Sequence, residues 1–161
     1  MFSRRTRLRP EIEADRPFLR RLYTSTRQSE MALLPHWSEQ EKDVFLEQQF
    51  RAQSTYYAAQ FPEASFDVVE LEGKAIGRLY VDRRDDEIRL IDIALLPEYR
   101  GRGLGGELMA EVLAEGESKG LRVRIHVEHN NPAMRLYQRL GFEKLEEQGV
   151  YWLLEWTPRG S

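Results

Sequence analysis

Apolar positions change their period several times along the chain, and each change marks an element. Asp15 stands before Arg16-Pro17 as an N-cap stands before a first-turn proline. Phe18, Leu19, Leu22 and Tyr23 then share one helical face, which predicts a helix ending near Arg27. Ser38-Glu39-Gln40-Glu41 has the form of a capping box and opens a second long helix toward Phe61-Pro62. From Ser65 the period falls to two. Residues 66–71, 75–81 and 88–96, separated by turns at Glu72-Gly73-Lys74 and at 83–86, predict three antiparallel strands, the last stopped by Pro97. Leu104, Leu108, Met109, Val112 and Leu113 mark a helix running to a glycine stop at Gly120. Glu107, Glu111 and Glu115 stand four apart on it, and mutual repulsion predicts that this acidic stripe faces solvent. Residues 121–128 read as another strand, and Ala133, Leu136, Tyr137 and Leu140 as one face of a short helix. The chain closes as a hairpin turning near Gln148-Gly149, with room for a first strand around residues 6–9.

No repeat, low-complexity tract or linker interrupts this order, so residues 1–161 are expected to form a single domain. A chain of 161 residues buries about 70% of the surface its unfolded form exposes. Lys plus Arg number 24 against 27 Asp plus Glu, and cysteine is absent. That excludes a disulfide framework, a thiolate metal centre and a cysteine nucleophile, and a reducing compartment suits such a composition. Residues 150–154 form the longest apolar run, five residues against the ~20 needed to span a bilayer, and no apolar stretch follows Arg4, Arg5, Arg7 and Arg9 to make a signal peptide. A cytoplasmic protein without a membrane partner is expected. The net charge of −3 argues against nucleic-acid binding as the main activity, and no His/Asp/Glu spacing suggests a metal site.

The chemistry concentrates where a strand ends in Leu95-Leu96-Pro97-Glu98-Tyr99 and continues as Arg100-Gly101-Arg102-Gly103-Leu104-Gly105-Gly106 into a helix. Exposed N–H groups at a helix start, with the positive end of the dipole behind them and no side-chain bulk in the way, form an anion site. The bland reading, a tight turn beside solubilising arginines, suits isolated glycines better than four in six residues. Gly101, Gly103 and Gly106 also satisfy the dinucleotide pattern G-x-G-x-x-G. A doubly wound sheet needs a tight strand-to-loop turn and further βα units, whereas four residues intervene here and little chain remains.

The spacing Arg100-x-x-Gly103-x-Gly105 resembles the coenzyme A pyrophosphate motif of the GNAT superfamily of N-acetyltransferases. The segment from Asn130-Asn131-Pro132 through Leu136-Tyr137 to Leu140-Gly141-Phe142 resembles that family's second hallmark. The resemblance extends to the element order along nearly the whole chain. It implies an α/β fold of the α+β type: a mixed, mostly antiparallel sheet of six or seven strands with about four helices on both faces. The central strand, residues 87–96, would splay from its parallel neighbour, residues 121–128. Acetyl coenzyme A would be the cosubstrate, with its pantetheine arm in that gap. Main-chain groups of Ile93, Ala94 and Leu95 would bond the arm, N–H groups from Arg100 and Gly101 through Arg102, Gly103 and Leu104 to Gly105 and Gly106 would hold the pyrophosphate, and Asn130 or Asn131 would touch the arm from the far side.

By spacing alone Tyr137 is an ordinary core tyrosine. The resemblance makes it the catalytic residue, a general acid that protonates the departing thiolate. The implied reaction is acetyl transfer by direct attack of a primary amine on a small molecule, an amino acid or a peptide. A non-catalytic acyl coenzyme A-binding module and a dinucleotide-binding protein are the alternatives. The resemblance places the acceptor among Arg27, Glu30, His36, Trp37, Tyr56, Tyr57, Tyr151 and Trp152. No base is assigned: Arg89 and Ile91 occupy the expected strand positions, Asp92 faces oppositely, and His36, His126 and His129 stand alone. No nucleic acid is expected as a partner, and a homodimer stays open.

Overall fold

The computed structural model describes residues 5–160, and Arg4 of the basic N-terminus lies outside the described residues. The elements are β1 (Arg7–Pro10), a 3-10 turn (Glu13–Asp15), α1 (Arg16–Thr26), α2 (Gln28–Met31), α3 (Glu39–Gln60), β2 (Ser65–Leu71), β3 (Lys74–Arg83) and β4 (Glu87–Leu95), followed by a second 3-10 turn (Pro97–Tyr99), α4 (Leu104–Lys119), β5 (Arg122–Glu128), α5 (Met134–Arg139), β6 (Glu143–Gln148) and β7 (Tyr151–Trp156). The seven strands lie in the order β1-β2-β3-β4-β5-β7-β6. Every neighbouring pair is antiparallel except β4 with β5. One parallel pair cannot make a doubly wound sheet, so the dinucleotide fold is excluded. No helix among the described residues is long and apolar enough to cross a membrane.

The main core lies on one face of the sheet, where Leu104, Leu108, Met109 and Val112 of α4 pack on Leu79, Val81, Ile88, Leu90, Val123 and Ile125. A smaller cluster on the other side joins Leu19 and Tyr23 of α1 to Leu46 and Phe50 of α3. The capping box of α3 forms: Ser38 Oγ accepts from the Glu41 N–H at 3.0 Å, and Glu41 accepts from the Ser38 N–H at 2.9 Å.

Two local expectations are corrected. Asp15 precedes α1 but does not cap it with its side chain; its carboxylate accepts from the Ile12 N–H at 2.8 Å and pairs with Arg9 at 2.7 Å. A charged partner on β1 outcompetes the helix end. The acidic stripe of α4 is half-buried, not solvent-facing: Glu107 pairs with Arg5, and Glu115 with Arg83 at 2.6 Å and Lys119 at 3.0 Å. Arginines from other elements offset the repulsion that periodicity alone predicted.

The feature that positions the site is how briefly β4 and β5 pair. Only Glu87 to Leu90 are matched with Arg122 to Ile125. Beyond them β4 stays on β3 and β5 stays on β7, so the two strands part. The parting begins at a bulge, where Tyr80 faces Asp92 but Val81 faces Leu90, leaving Ile91 unmatched. A bulge bends its strand and increases the local twist. Gly77 permits the close β3–β4 approach further along, because a Cβ there would stand 2.3 Å from Ala94 O and 2.7 Å from a Leu95 methyl.

Gly77→Ala should therefore destabilise the protein by about 1–3 kcal/mol, the range for forced overpacking. Gly106→Ala in the first turn of α4, where an added Cβ meets nothing within 4 Å, should be neutral to stabilising by about 0.4–1 kcal/mol. Urea unfolding of the two variants beside the parent checks both signs.

Candidate active site

The unpaired part of β4 is the first component of the site. The Leu96 N–H donates to Ile76 O at 2.8 Å, which makes Leu96 and Ile76 a hydrogen-bonded pair. In an antiparallel ladder such pairs alternate with pairs whose groups turn away. Ala94 opposite Arg78 is then bonded inward, while Ile93 and Leu95 turn their N–H and C=O groups into the gap toward β5. Of the three residues expected to line the gap with main-chain groups, Ile93 and Leu95 are so oriented and Ala94 is not. The Leu95 carbonyl already accepts from Arg100 Nε at 3.0 Å, leaving its second lone pair.

The glycine loop supplies the second component. Gly103 is the N-terminal residue bounding α4, with φ at +80°, a conformation that a side chain would strain. The Glu107 N–H, bonded to Gly103 O at 3.0 Å, makes the first intrahelical bond of α4. Among the described residues no N–H from Gly101 to Gly106 reaches a backbone carbonyl. The Arg100 N–H differs, being engaged with Pro97 O at 3.2 Å. The donor row thus begins at Gly101, and Gly101, Arg102, Gly103, Leu104, Gly105 and Gly106 present it. A Cβ on Gly101 or Gly106 would meet nothing within 4 Å, so the loop surface is open.

Tyr137 is buried in the main core with its ring 5.8 Å from that of Phe142. Its hydroxyl makes no hydrogen bond among the described residues, and burial, followed by the Asp92 charge, pushes its pKa up to about 12. The phenol therefore stays protonated at neutral pH. Asn131 accepts from the Ala133 N–H at 2.8 Å and orders the turn into α5, whereas Asn130 is exposed. The Asn131 amide nitrogen and the second lone pair of its oxygen remain for a ligand, so the two asparagines differ in how firmly they are held.

A polar cluster that periodicity missed lies on the opposite face of the sheet. Arg78, buried on β3, pairs with Asp92 of β4, donates to Gln53 of α3 at 2.8 Å, and lies over the Tyr80 ring at 4.8 Å. Tyr80 in turn donates to Glu11, and its ring meets that of Tyr57 edge-on at 5.9 Å. Arg78 Nε has no hydrogen-bond partner among the described residues. The Ile91 bulge explains the arrangement: Ile93 and Leu95 pack toward the main core, so Asp92 turns to the face of α3. A lone arginine inside the apolar run 75–81 was the available signal.

Burial and then the Asp92 charge raise the Tyr57 pKa, and Arg27 and Tyr151 also act on it. Of the eight expected acceptor residues, Arg27, Glu30 and Tyr151 gather around Glu128, which stands opposite Tyr151 in the β5–β7 register, while Tyr57 packs on Tyr80. Arg27 pairs with Glu30 at 2.8 Å and reaches Glu128 at the splayed end of β5 at 3.5 Å. Trp37 instead packs on Phe45, Trp152 lies beside His129, and His36 and Tyr56 are exposed.

A mostly antiparallel sheet whose one parallel pair opens above a glycine-bounded helix is the fold of acyl coenzyme A N-acyltransferases. Residues 19–142 match the family model of the acetyltransferase (GNAT) family, and the chain belongs to that family. It is 44% identical over 61 residues to a mycothiol acetyltransferase of Corynebacterium aurimucosum, covering 37% of this chain and 20% of that one. It is 32% identical over 68 residues to a ribosomal protein bS18-alanine N-acetyltransferase of Haemophilus influenzae, covering 42% and 47%. The matches span less than half the length of either relative. The crystal structure of the PaiA N-acetyltransferase of Thermoplasma acidophilum in complex with coenzyme A shares the fold at a TM-score of 0.71 and 17% identity, covering 94% of this chain and 98% of that one.

Asp92→Asn leaves the buried Arg78 charge without its counter-ion. Removing one partner of a buried pair typically costs about 3–5 kcal/mol, and a loss of that order in urea unfolding is expected. An unchanged midpoint would show that Arg78 does not depend on Asp92.

Proposed function

We propose that the chain, as one domain over residues 1–161, is an acetyl coenzyme A-dependent N-acetyltransferase acting on a primary amine of a small molecule, an amino acid or a peptide. The observation that carries this is the meeting of three features: outward main-chain groups on Ile93 and Leu95, an open N–H row at the α4 start, and an unbonded, protonated Tyr137 hydroxyl. These groups fit a long ligand with an amide-bearing arm and a diphosphate. Family membership and the coenzyme A complex of the structural relative support the same cosubstrate. Acetyl coenzyme A supplies the activated acetyl thioester.

In this reading Ile93 and Leu95 hold the arm as a neighbouring strand would, and the loop from Gly101 to Gly106 binds the diphosphate through N–H groups and the helix dipole. Attack by the neutral amine forms the C–N bond and breaks the C–S bond, Tyr137 gives its proton to sulfur, the ammonium proton leaves to solvent or a base, and the Tyr137 phenolate regains a proton from solvent. Asp92 is ill-placed to be that base, because its carboxylate is engaged by Arg78 on the α3 face of the sheet. His126, held between Arg89 at 3.2 Å and Gln148 at 2.8 Å, is engaged elsewhere. The group formed by Arg27, Glu30, Glu128 and Tyr151 carries one more negative than positive charge, which favours a cationic acceptor. One relative is named for mycothiol and the other for an alanine of a ribosomal protein, so both small-molecule and protein acceptors are in range. The proposal includes the cytoplasm as location and leaves a homodimer open.

Coenzyme A should raise the melting temperature, since a ligand of the folded state stabilises it with occupancy. Tyr137→Phe preserves core volume and removes a hydroxyl that makes no hydrogen bond among the described residues, so fold and coenzyme A affinity should persist. With a working amine acceptor, kcat should fall by about 10²–10⁴, more than KM changes. A folded variant within about twofold of the parent kcat leaves Tyr137 as a core residue only. Coenzyme A binding without turnover of any amine in a broad panel favours the binding-module reading.

A further inference from the structure

Arg5 lies ahead of β1 in sequence but rests on the glycine loop. Its Nη2 donates to Arg102 O at 2.7 Å, its Nε donates to Glu107 Oε2 at 2.8 Å, and Nη2 also bonds that carboxylate oxygen. The Arg5 backbone N–H adds a longer contact to Glu107 Oε1 at 3.4 Å. The same Nη2 stands 3.6 Å from where a Cβ on Gly103 would be. One guanidinium thus joins a loop carbonyl to the sole carboxylate of the first turn of α4.

The position of Glu107 poses an electrostatic problem. An acidic side chain in a first turn complements the helix dipole and supports the free helix. In a turn whose N–H groups are to receive a diphosphate, the same carboxylate competes for that positive field and repels the ligand. The Arg5 hydrogen bonds hold the Glu107 carboxyl below the usual carboxylate range, so the charge is present throughout neutral pH. Only a cation can remove its effect, and the basic N-terminal segment supplies one from the far edge of the sheet.

We infer that Arg5 is a positioning residue for the coenzyme diphosphate, acting by cancelling the Glu107 charge beside the N–H row of Gly101 to Gly106. The inference rests on the acetyltransferase reading, but it concerns affinity for the free coenzyme and not turnover. Arg5 is exposed and outside both core clusters, so its replacement leaves the fold intact.

Calorimetric titration with coenzyme A tests it in four proteins: the parent, Arg5→Ala, Glu107→Gln, and the double variant. Arg5→Ala should weaken binding about fivefold at low salt, the scale of one surface charge acting on a doubly charged group about a helical turn away, and the loss should shrink as salt rises. Glu107→Gln, which leaves the Arg5 cation unopposed, should bind up to about fivefold more tightly than the parent, and adding it to Arg5→Ala should restore parental affinity. Unchanged binding in Arg5→Ala, or a loss that Glu107→Gln fails to restore, overturns the charge-cancelling role. A parent protein that binds no coenzyme A overturns the acetyltransferase reading and this inference with it.

Discussion

A backbone cannot leave polar groups unpaired inside a sheet without something to satisfy them, and that constraint organises this molecule. The parallel contact of β4 with β5 ends at Leu90, yet each strand continues while bound to its other neighbour. Ile93 and Leu95 consequently face a gap in the middle of a seven-stranded sheet, where groups are normally bonded on both sides. Such a gap survives because the surrounding fold over-determines it. Gly77 lets β3 grip β4 closely, and α4 packs across the strands below the opening. In the proposed function this open edge takes an extended ligand with amide groups.

The two faces of the sheet divide the labour on either side of that gap. On the α4 face the packing is apolar, and Tyr137 brings one protonated hydroxyl to it. On the α3 face a buried arginine is stabilised by Asp92, Gln53 and the Tyr80 ring. The bulge at Ile91 is the hinge between these regimes, since it reverses which side chains of β4 face which way. Without it Asp92 would point into apolar packing, where an unpaired carboxylate is strongly disfavoured.

Much of the fold was legible from residue spacing because each helix and strand carries its own boundary chemistry. The Ser38–Glu41 box, the Gly120 stop and the turn at Gly149 act through neighbours in sequence, and all three mark element ends in the structure. What could not be read required partners distant in sequence. Nothing local to Asp15 announces that Arg9 claims its carboxylate, and nothing local to Glu107 announces Arg5, 102 residues away. The gap itself was foreseen through family resemblance alone, since no spacing rule says where two parallel strands stop pairing. The assignment of Ala94 to the gap failed for a related reason: whether a residue turns its backbone inward or outward depends on the register with β3, fixed here by the Leu96–Ile76 pair.

The loop arginines bear on why the proposed anion site relies on the main chain. Arg100 turns back onto Leu95 O and approaches Ser25 at 3.4 Å, while Arg102 lies over the Tyr99 ring at 5.1 Å. Each is oriented by a contact within the protein and adds to the positive field without having to be rigidly placed. The backbone donors, by contrast, are fixed by the two left-handed glycines Gly101 and Gly103 and by the helix that follows. Fixed donors lose little entropy when a ligand arrives, whereas ordering a long exposed side chain costs about 0.5–1.5 kcal/mol each time. In the proposed function, a cradle of N–H groups surrounded by arginines already oriented elsewhere binds an anion with less reorganisation than a cluster of free cations would.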